Sequence, residues 1–559
     1  MITDLAQHVP ESLPRFDVVV VGSGPAGGTL ANELAGKGLR VAVLESGRRS
    51  PTARGDALRA VEFDGLPIKE YSRERVLGGA STTWAGLSSP LDPIDFESRP
   101  VLSRPGWPIE RAALVPYWQR AAERFRFPEF ASFDPSSLAD LRAKGDVAPT
   151  FAGIDEKVFL ARTEPQDFGR EFQAPYEGDD VHLLLDATVL ELVPDESRRR
   201  VAAVKVRNSE GRELEVRGER FVLATGGIEN ARLLLGSAGF GERGVGNEHD
   251  QVGRCFMNHP KNYHGVLTLR APVQSLPYFF GCMYRGFAGY AGLRLDEETQ
   301  RGRGLLNSYV RFEPLFPWSD SEGVESLVLL AKRSKFLLDH WRRRGAKGDA
   351  VVELRDYSET GDDSDLQNAR KKGGDWVRLG WNVVADAPRV ARYATSRLFE
   401  RRRPKVRRVR LRNFMEMEPD PSNRVVLSDA RDADGRPVPR VASRCTELDR
   451  RSLVELHEVL RNEFARTGLG DLESSLSVEG EWPIDQDASH HLGTTRMGDD
   501  PRTSVVDRDL RVHGVANLHV AGGSVFATSG CANPTYTIVA LSIRLAEHLV
   551  ASTRAGAVR

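Results

Sequence analysis

From Phe16 to Gly47 the chain reads FDVVVVGSGPAGGTLANELAGKGLRVAVLESG. A four-valine run, a glycine-rich turn, an apolar helical face (Leu30, Ala31, Leu34, Ala35) and an alternating run (Leu39, Val41, Val43) predict a βαβ unit. Gly36 and Gly38 close the helix. Gly22, Gly24 and Gly27 form the G-x-G-x-x-G spacing, in which the first glycine makes the tight turn. The second lets the backbone approach a pyrophosphate at a helix N-terminus, and the third allows close helix-strand packing. Glu45 ends the second strand 23 residues after Gly22, where a carboxylate can accept the ribose hydroxyls of an adenosine. This pattern serves NAD and FAD alike, and its position at the chain start favours a flavoprotein.

The remaining composition narrows the options by exclusion. A length of 559 residues points to two or more hydrophobic cores, with one domain interrupted by another. With 78 Lys+Arg against 79 Asp+Glu, the net charge of -1 gives no electrostatic signature of a nucleic-acid binder. The cysteines Cys255, Cys282, Cys445 and Cys531 form no Cys-x-x-Cys pair, so neither a disulfide framework nor a thiolate zinc site is expected. The first residues lack a basic start followed by an apolar stretch, and no eighteen apolar residues run together, so a soluble cytoplasmic protein without membrane contact is expected.

Further segments carry small-residue turns or strand patterns. RVLGGASTTWAG (Arg75 to Gly86) offers a backbone loop able to lie against a planar ring. Val181 to Val193 and Val201 to Val206 read as strands, and Phe221 to Leu235 as a strand, a Gly226-Gly227 turn and a helix start returning to the nucleotide domain. Tyr117 and Trp118 lie on a helix after a turn, with core packing as the simplest role. The charged stretch Arg342 to Asp375 reads as a surface excursion, and the basic run Glu400 to Arg412 as a solvated face or subunit contact.

The C-terminal block DASHHLGTTRMGDD through GGSVFATSGCANPTYTIVALSIRLAEHL is the most distinctive in the chain. Together with the opening βαβ unit, the Gly78-Gly79 loop and VGRCFMNHP (Val252 to Pro260), it resembles the glucose-methanol-choline (GMC) flavin oxidoreductases. The likeness is to the bacterial branch with pyranose oxidases, glycoside 3-oxidases and gluconate dehydrogenase-like subunits. It implies an α/β fold, with a Rossmann-type FAD-binding domain and an inserted substrate domain built on an antiparallel sheet with helices. The expected boundaries are 1–95, 180–265 and 498–559 for the discontinuous FAD domain, and 96–179 and 266–497 for the substrate domain.

The resemblance also assigns roles. In the pattern H-x-x-G-T-x-x-M, His490 is in register with Gly493, Thr494 and Met497, whereas His491 is one residue out and reads as a packed neighbour. His490 is therefore the implied base, and Asn533, 43 positions later, its partner. A neutral imidazole can take the hydroxyl proton while the C–H hydride goes to flavin, and the carboxamide holds the substrate oxygen. Asn533-Pro534 also reads as a helix cap with proline at the first helical position. FAD is expected to be held by Gly22, Gly24, Gly27, Glu45, Gly78, Gly79, Ser81, Thr83, Val189, Gly522, Pro534 and Thr535. It is expected to be non-covalent, because Thr83 stands where covalent pyranose oxidases carry histidine in S-T-x-W.

The expected reaction is oxidation of a sugar or glycoside hydroxyl, at C2 or C3, to a ketone, with oxygen or a quinone-type acceptor. A gluconate dehydrogenase-like or other polyol dehydrogenase using a non-oxygen acceptor, or a flavin-holding lyase or photodecarboxylase, is the alternative. Gly522-Gly523-Ser524, where many members have an acidic residue, leans toward the sugar branch. Met417 stands where the family has glutamine, which suggests a missing polar contact and a larger substrate. His259 reads first as a structural turn histidine and second as a contributor near the site, and Cys531 first as a buried small residue and second as a thiol beside the substrate. No metal site is expected.

Overall fold

Strand β2 (Phe16–Val21) lies at the centre of the first sheet because its valines are buried on both faces, as a parallel strand covered on each side requires. The computed structural model describes residues 1–559 except 70–71, 135–136, 138–147, 285, 334–375, 400–403, 485–488 and 558–559. The stretch Arg342 to Asp375 thus lies outside the described residues. β1 (Ile2–Asp4), β6 (Val181–Leu185), β3 (Val41–Leu44), β2 and β9 (Glu213–Leu223) lie side by side in parallel, and β19 (Leu518–Val520) pairs with β9 from the far end of the chain. β7 (Thr188–Pro194) and β8 (Val201–Arg207) extend β9 as an antiparallel ribbon. The expected strands are all present; β1, only three residues long and partly exposed, gave no periodic signal.

The second sheet is antiparallel: β12 (Cys282–Tyr284), β13 (Phe287–Leu295), β14 (Tyr309–Pro314), β15 (Val406–Phe414), β11 (Val266–Val273) and β18 (Gly470–Glu473), in that order. β5 (Ile154–Arg162) pairs along all of β13, and β10 (Lys261–Asn262) adds to β15. The helix Glu447–Thr467 buries Leu453, Leu456, Leu460 and Phe464 against it, opened by a Thr446/Asp449 capping box and closed by left-handed Gly468. The expected α/β fold with an antiparallel substrate sheet is the fold observed.

A small third sheet joins β4 (Glu62–Gly65), β17 (Pro437–Ser443) and β16 (Arg424–Arg431), carrying residues from the middle of the chain back to the N-terminal unit. The basic run departs from its expected surface role. From Val406 onward it is an inner strand of the second sheet, with Val409, Leu411 and Arg412 buried. Tyr117 and Trp118 fall on the helix Val115–Phe125. Trp118 is wholly buried and stacks on Phe130 at 5.5 Å.

A buried polar network holds the two cores together. Arg99 forks onto Glu416 at 2.6 and 3.1 Å, Asn307 bonds Asp92 and Asp95 at 2.9 Å each, and Lys157 bonds Asp92 at 2.7 Å. Thr528 donates to the Asp95 carbonyl at 2.6 Å, so the network backs the loop before the last helix. Removing one partner strands a buried charge. Arg99→Met leaves Glu416, fully buried, without its cation and is expected to cost about 3–5 kcal/mol. Chemical denaturation followed by fluorescence checks this; an unchanged midpoint contradicts it.

Candidate active site

The two sheets enclose a cavity of about 500 Å3, and its nucleotide arm is built by the opening βαβ unit. Gly22 adopts φ +103°, and a Cβ there would lie 2.5 Å from the Ala224 carbonyl. At Gly27 a Cβ would lie 1.9 Å from the Gly22 carbonyl, so the turn and the helix Pro25–Leu34 pack as closely as glycine allows. Over Gly24 the nearest atoms to such a Cβ are 3.9 Å away, leaving the helix N-terminus open to the cavity. The donor set therefore fits a dinucleotide pyrophosphate. Glu45 is buried and accepts from Ser23 N–H and O–H at 3.1 and 2.6 Å and from Gly47 N–H at 2.8 Å. Burial pushes its carboxyl up, and these donors push it back down. The Ser23 hydroxyl also accepts from Gly78 N–H at 3.1 Å, tying the second glycine loop to the first.

Of the residues expected to hold FAD, Gly22, Gly24, Glu45, Gly79, Ser81, Thr83, Val189, Gly522, Pro534 and Thr535 line this cavity. Gly27 and Gly78 lie behind the lining: Gly78 is left-handed, and a Cβ on it would meet Gly169 N at 2.4 Å. Sequence reasoning missed the arginines of this arm. Arg73, Arg75 and Arg436 line it around Glu229. Against burial, Arg75, Arg232, Arg73 and Arg436 hold that carboxyl well below the usual range.

At the other end, His490 and Asn533 line the same cavity. His490 is carried by a segment that pairs with two others: Met257 and Leu492 exchange backbone bonds at 3.1 and 3.0 Å, and Gly493, Thr495 and Met497 donate to Gly523, Ser524 and Val525. Asn258 Oδ1 accepts the backbone N–H of both His259 and His490, at 2.8 and 3.0 Å. His259 Nδ1 lies 2.7 Å from His490 Nδ1, and His259 Nε2 lies 2.9 Å from the Gly530 carbonyl.

A carbonyl only accepts, so His259 carries its proton on Nε2, and its bare Nδ1 accepts from His490 Nδ1–H. His490 Nε2 is left with its lone pair and no hydrogen-bond partner among the described residues. Burial, then the charges of His259, Lys261 and His491, hold His490 well below its ordinary value; burial also brings His259 to about 4.

The Asn533 carboxamide makes no hydrogen bond among the described residues. The last helix begins at Thr535, and the Pro534 carbonyl accepts from Ile538 N–H, which puts the cap one residue later than expected. His491 lies 5.8 Å from Phe256 and lines the cavity.

Of the two readings of His259, the geometry favours the contributor near the site, because it contacts the implied base directly. One reading needs correction. Met417 does not face the cavity: it is fully buried behind Asn258, whose N–H reaches its sulfur at 3.4 Å, so the larger substrate read from it loses its footing. Cys531 is buried beside Phe159, Tyr290 and Tyr309, as expected. No group of three His, Cys, Asp or Glu suited to a metal occurs among the described residues, and none of their helices is long and apolar enough to cross a membrane.

Comparison with known proteins agrees with this arrangement. Residues 15–66 match an FAD binding domain and residues 419–542 match GMC oxidoreductase. The fructose dehydrogenase large subunit of Gluconobacter japonicus is 24% identical, over 97% of this chain and 98% of that one. Paromamine 6'-oxidase of Streptomyces fradiae is 25% identical, over 95% and 91%. Among solved structures, a formate oxidase variant of Aspergillus oryzae superimposes with a TM-score of 0.53 over 98% of this chain and 100% of that one, at 17% identity, and so shares the fold. Matches at both ends of the chain and relatives aligned along nearly its whole length agree with the opening glycine turn and the closing histidine segment meeting at one cavity: the C-terminal part is similar to the GMC oxidoreductases, and the N-terminal unit is an FAD-binding domain.

Proposed function

We propose that the protein oxidises a sugar or glycoside hydroxyl to a carbonyl, with His490 as base and Asn533 positioning the alcohol. The observation that carries this reading is the bare Nε2 of His490 at the cavity. The glycine turns and Glu45 would hold FAD, which would supply the hydride acceptor. His490 Nε2 takes the hydroxyl proton, and its Nδ1–H stays bonded to His259, so the ring receives charge without turning. Asn533 can donate its N–H to the substrate oxygen without competing for that proton. Phe280, Tyr290 and Phe414 line the same space and offer flat apolar faces to a sugar ring. A secondary hydroxyl at C2 or C3, and oxygen or a quinone as final acceptor, complete the reading. The names of the relatives, a fructose dehydrogenase and a paromamine oxidase, support the sugar class.

His490→Ala is expected to retain flavin absorbance and to slow anaerobic flavin reduction by substrate about 10^2- to 10^4-fold, the usual contribution of a general base. Unchanged single-turnover reduction would remove His490 from this role.

The pH dependence follows from the sign of the shift. A base must be neutral to act, and His490 is held below 6.5, so kcat/KM is expected to stay level from neutrality down past pH 6.5 and to fall only in more acid solution. His259→Leu removes the acceptor that fixes the His490 tautomer and one of the groups that depresses it. The expected result is a lower plateau, by about tenfold or more, together with an acid limb displaced to higher pH. A lower plateau with an unmoved limb would reduce His259 to packing.

A further inference from the structure

The turn between β16 and β17 reaches the nucleotide arm from late in the chain, and protein groups alone fix its position. Asp432 Oδ1 accepts the backbone N–H of Asp434 and of Arg436 at 2.9 and 3.0 Å, and Gly435 takes the left-handed φ of +75° that the reversal needs. Arginines from three other segments grip the turn. Arg232 bonds Asp432 and the Pro437 carbonyl at 2.6 and 2.7 Å, Arg54 bonds Asp434 at 2.6 Å, and Arg207 bonds the Asp434 carbonyl at 2.7 Å. Arg436 is thus delivered to the cavity by backbone that is already held.

At the cavity its guanidinium is short of partners. Arg436 lines the arm with its side chain 13% exposed, and its Nη1 donates to the Val189 carbonyl at 2.7 Å. Its ion pair with Glu229 is loose, 3.8 Å from Nη2 and beyond hydrogen-bond reach. Nε and Nη2 of Arg436 therefore make no hydrogen bond among the described residues. Glu229 is already shared by Arg73, by Arg75 at 3.0 Å and by Arg232 at 3.4 Å. The other carboxylates among the described residues of this arm are engaged elsewhere, Glu45 by Ser23 and Gly47 and Glu74 by Arg59 at 2.9 Å. Burial, then Arg232, brings Arg436 down to about 10, and burial against the pull of Glu229 brings Arg73 to about 10 as well.

A planar guanidinium with donors to spare at a cavity wall matches phosphate oxygens. The same cavity receives the open N-terminus of the helix Pro25–Leu34 at Gly24 and, at Gly226 and Gly227, that of the helix Gly227–Gly236, so three anion-attracting elements share one space. In FAD the diphosphate is the anionic part, while adenine and ribose carry no charge. We propose that Arg436 is a cofactor-binding residue: carried by the β16–β17 turn, it clasps the diphosphate of FAD beside Arg75 and Arg73. A segment some four hundred residues from the glycine turn then helps to retain the cofactor. Docking of the turn and retention of FAD are linked, each tightening the other by the same factor. This contact is independent of the identity of the substrate.

Release of FAD from the diluted holoenzyme, followed by the rise in flavin fluorescence over a range of salt concentrations, tests the contact. In Arg436→Met release is expected to be about 10- to 100-fold faster at low salt, the range of a charge-assisted hydrogen bond. Its further acceleration by salt is expected to be weaker than in the wild type, because one ionic contact to the cofactor has gone. Arg436→Lys keeps the charge without the fork, and is expected to restore the wild-type salt response while retaining FAD only in part. A purely structural role for Arg436 speeds release by the same factor at every salt concentration. Arg75→Met gives the same pair of readouts should the Arg436 variant fail to fold. Release as slow as in the wild type, or faster release with an unaltered salt response, would overturn the proposal.

Discussion

Because the Gly530 carbonyl can only accept, the bond from His259 Nε2 dictates the proton positions of the two paired imidazoles. It fixes the tautomer of His259, thereby that of His490, and leaves a basic nitrogen at the cavity. Such a chain of consequence requires both imidazoles to be neutral, and burial ensures that. It also requires three distant segments to keep their places within tenths of an ångström. The pairing of residues 257 and 492, and of 493–497 with 523–525, supplies that rigidity from backbone alone, with the Asn258 carboxamide locking the two histidine-bearing turns to each other. Side-chain chemistry here is inherited from main-chain geometry.

Gly530 is itself held from behind. A Cβ there would lie 2.5 Å from an Asp95 oxygen, and the Asp92–Asp95 pair receives Asn307 and Lys157 from the second sheet. Two buried carboxyls so close do not share the same charge state. Asp95 is pushed up to about 7, first by burial and then by Asp92 and Glu416, while Arg294 and Lys157 hold Asp92 low despite burial. The network thus holds one carboxyl charged and shifts the other toward its protonated form. That makes the loop carrying Asn533 part of the junction between the two cores, which accounts for a positioning group on irregular backbone rather than on a strand.

The nucleotide unit was legible because its constraints are local. A run of valines, three glycines with fixed spacing and an acidic residue at the next strand end each leave a mark within thirty residues, and β2, β3 and the intervening helix follow them. His490 and Asn533 were legible through motif register, and the structure brings both to one cavity. His259 was read first as a turn residue and only second as a contributor to the site because its partner lies 231 residues away, and nothing in the MNHP turn announces a contact of that range. Met417 was misread for the opposite reason: a family position was given a side-chain direction that only packing decides. The basic run ending at Arg412 looked solvated by composition, yet RRVRLRNF also alternates with a strand's period of two, and that alternation was the signal available for finding Arg412 and Phe414 on one face.

The charges along the cavity follow a single logic. At the nucleotide arm, Arg73, Arg75 and Arg436 crowd Glu229, a cationic surround suited to a diphosphate while one buried carboxylate keeps the unloaded site from excessive self-repulsion. At the reaction end the same device recurs, with Arg311 and Arg412 sharing Glu313. Glu313 anchors its guanidiniums from behind the cavity lining, whereas Glu229 lines the nucleotide arm beside its arginines. The cost falls on His490, whose basicity declines in a field of nearby positive charge.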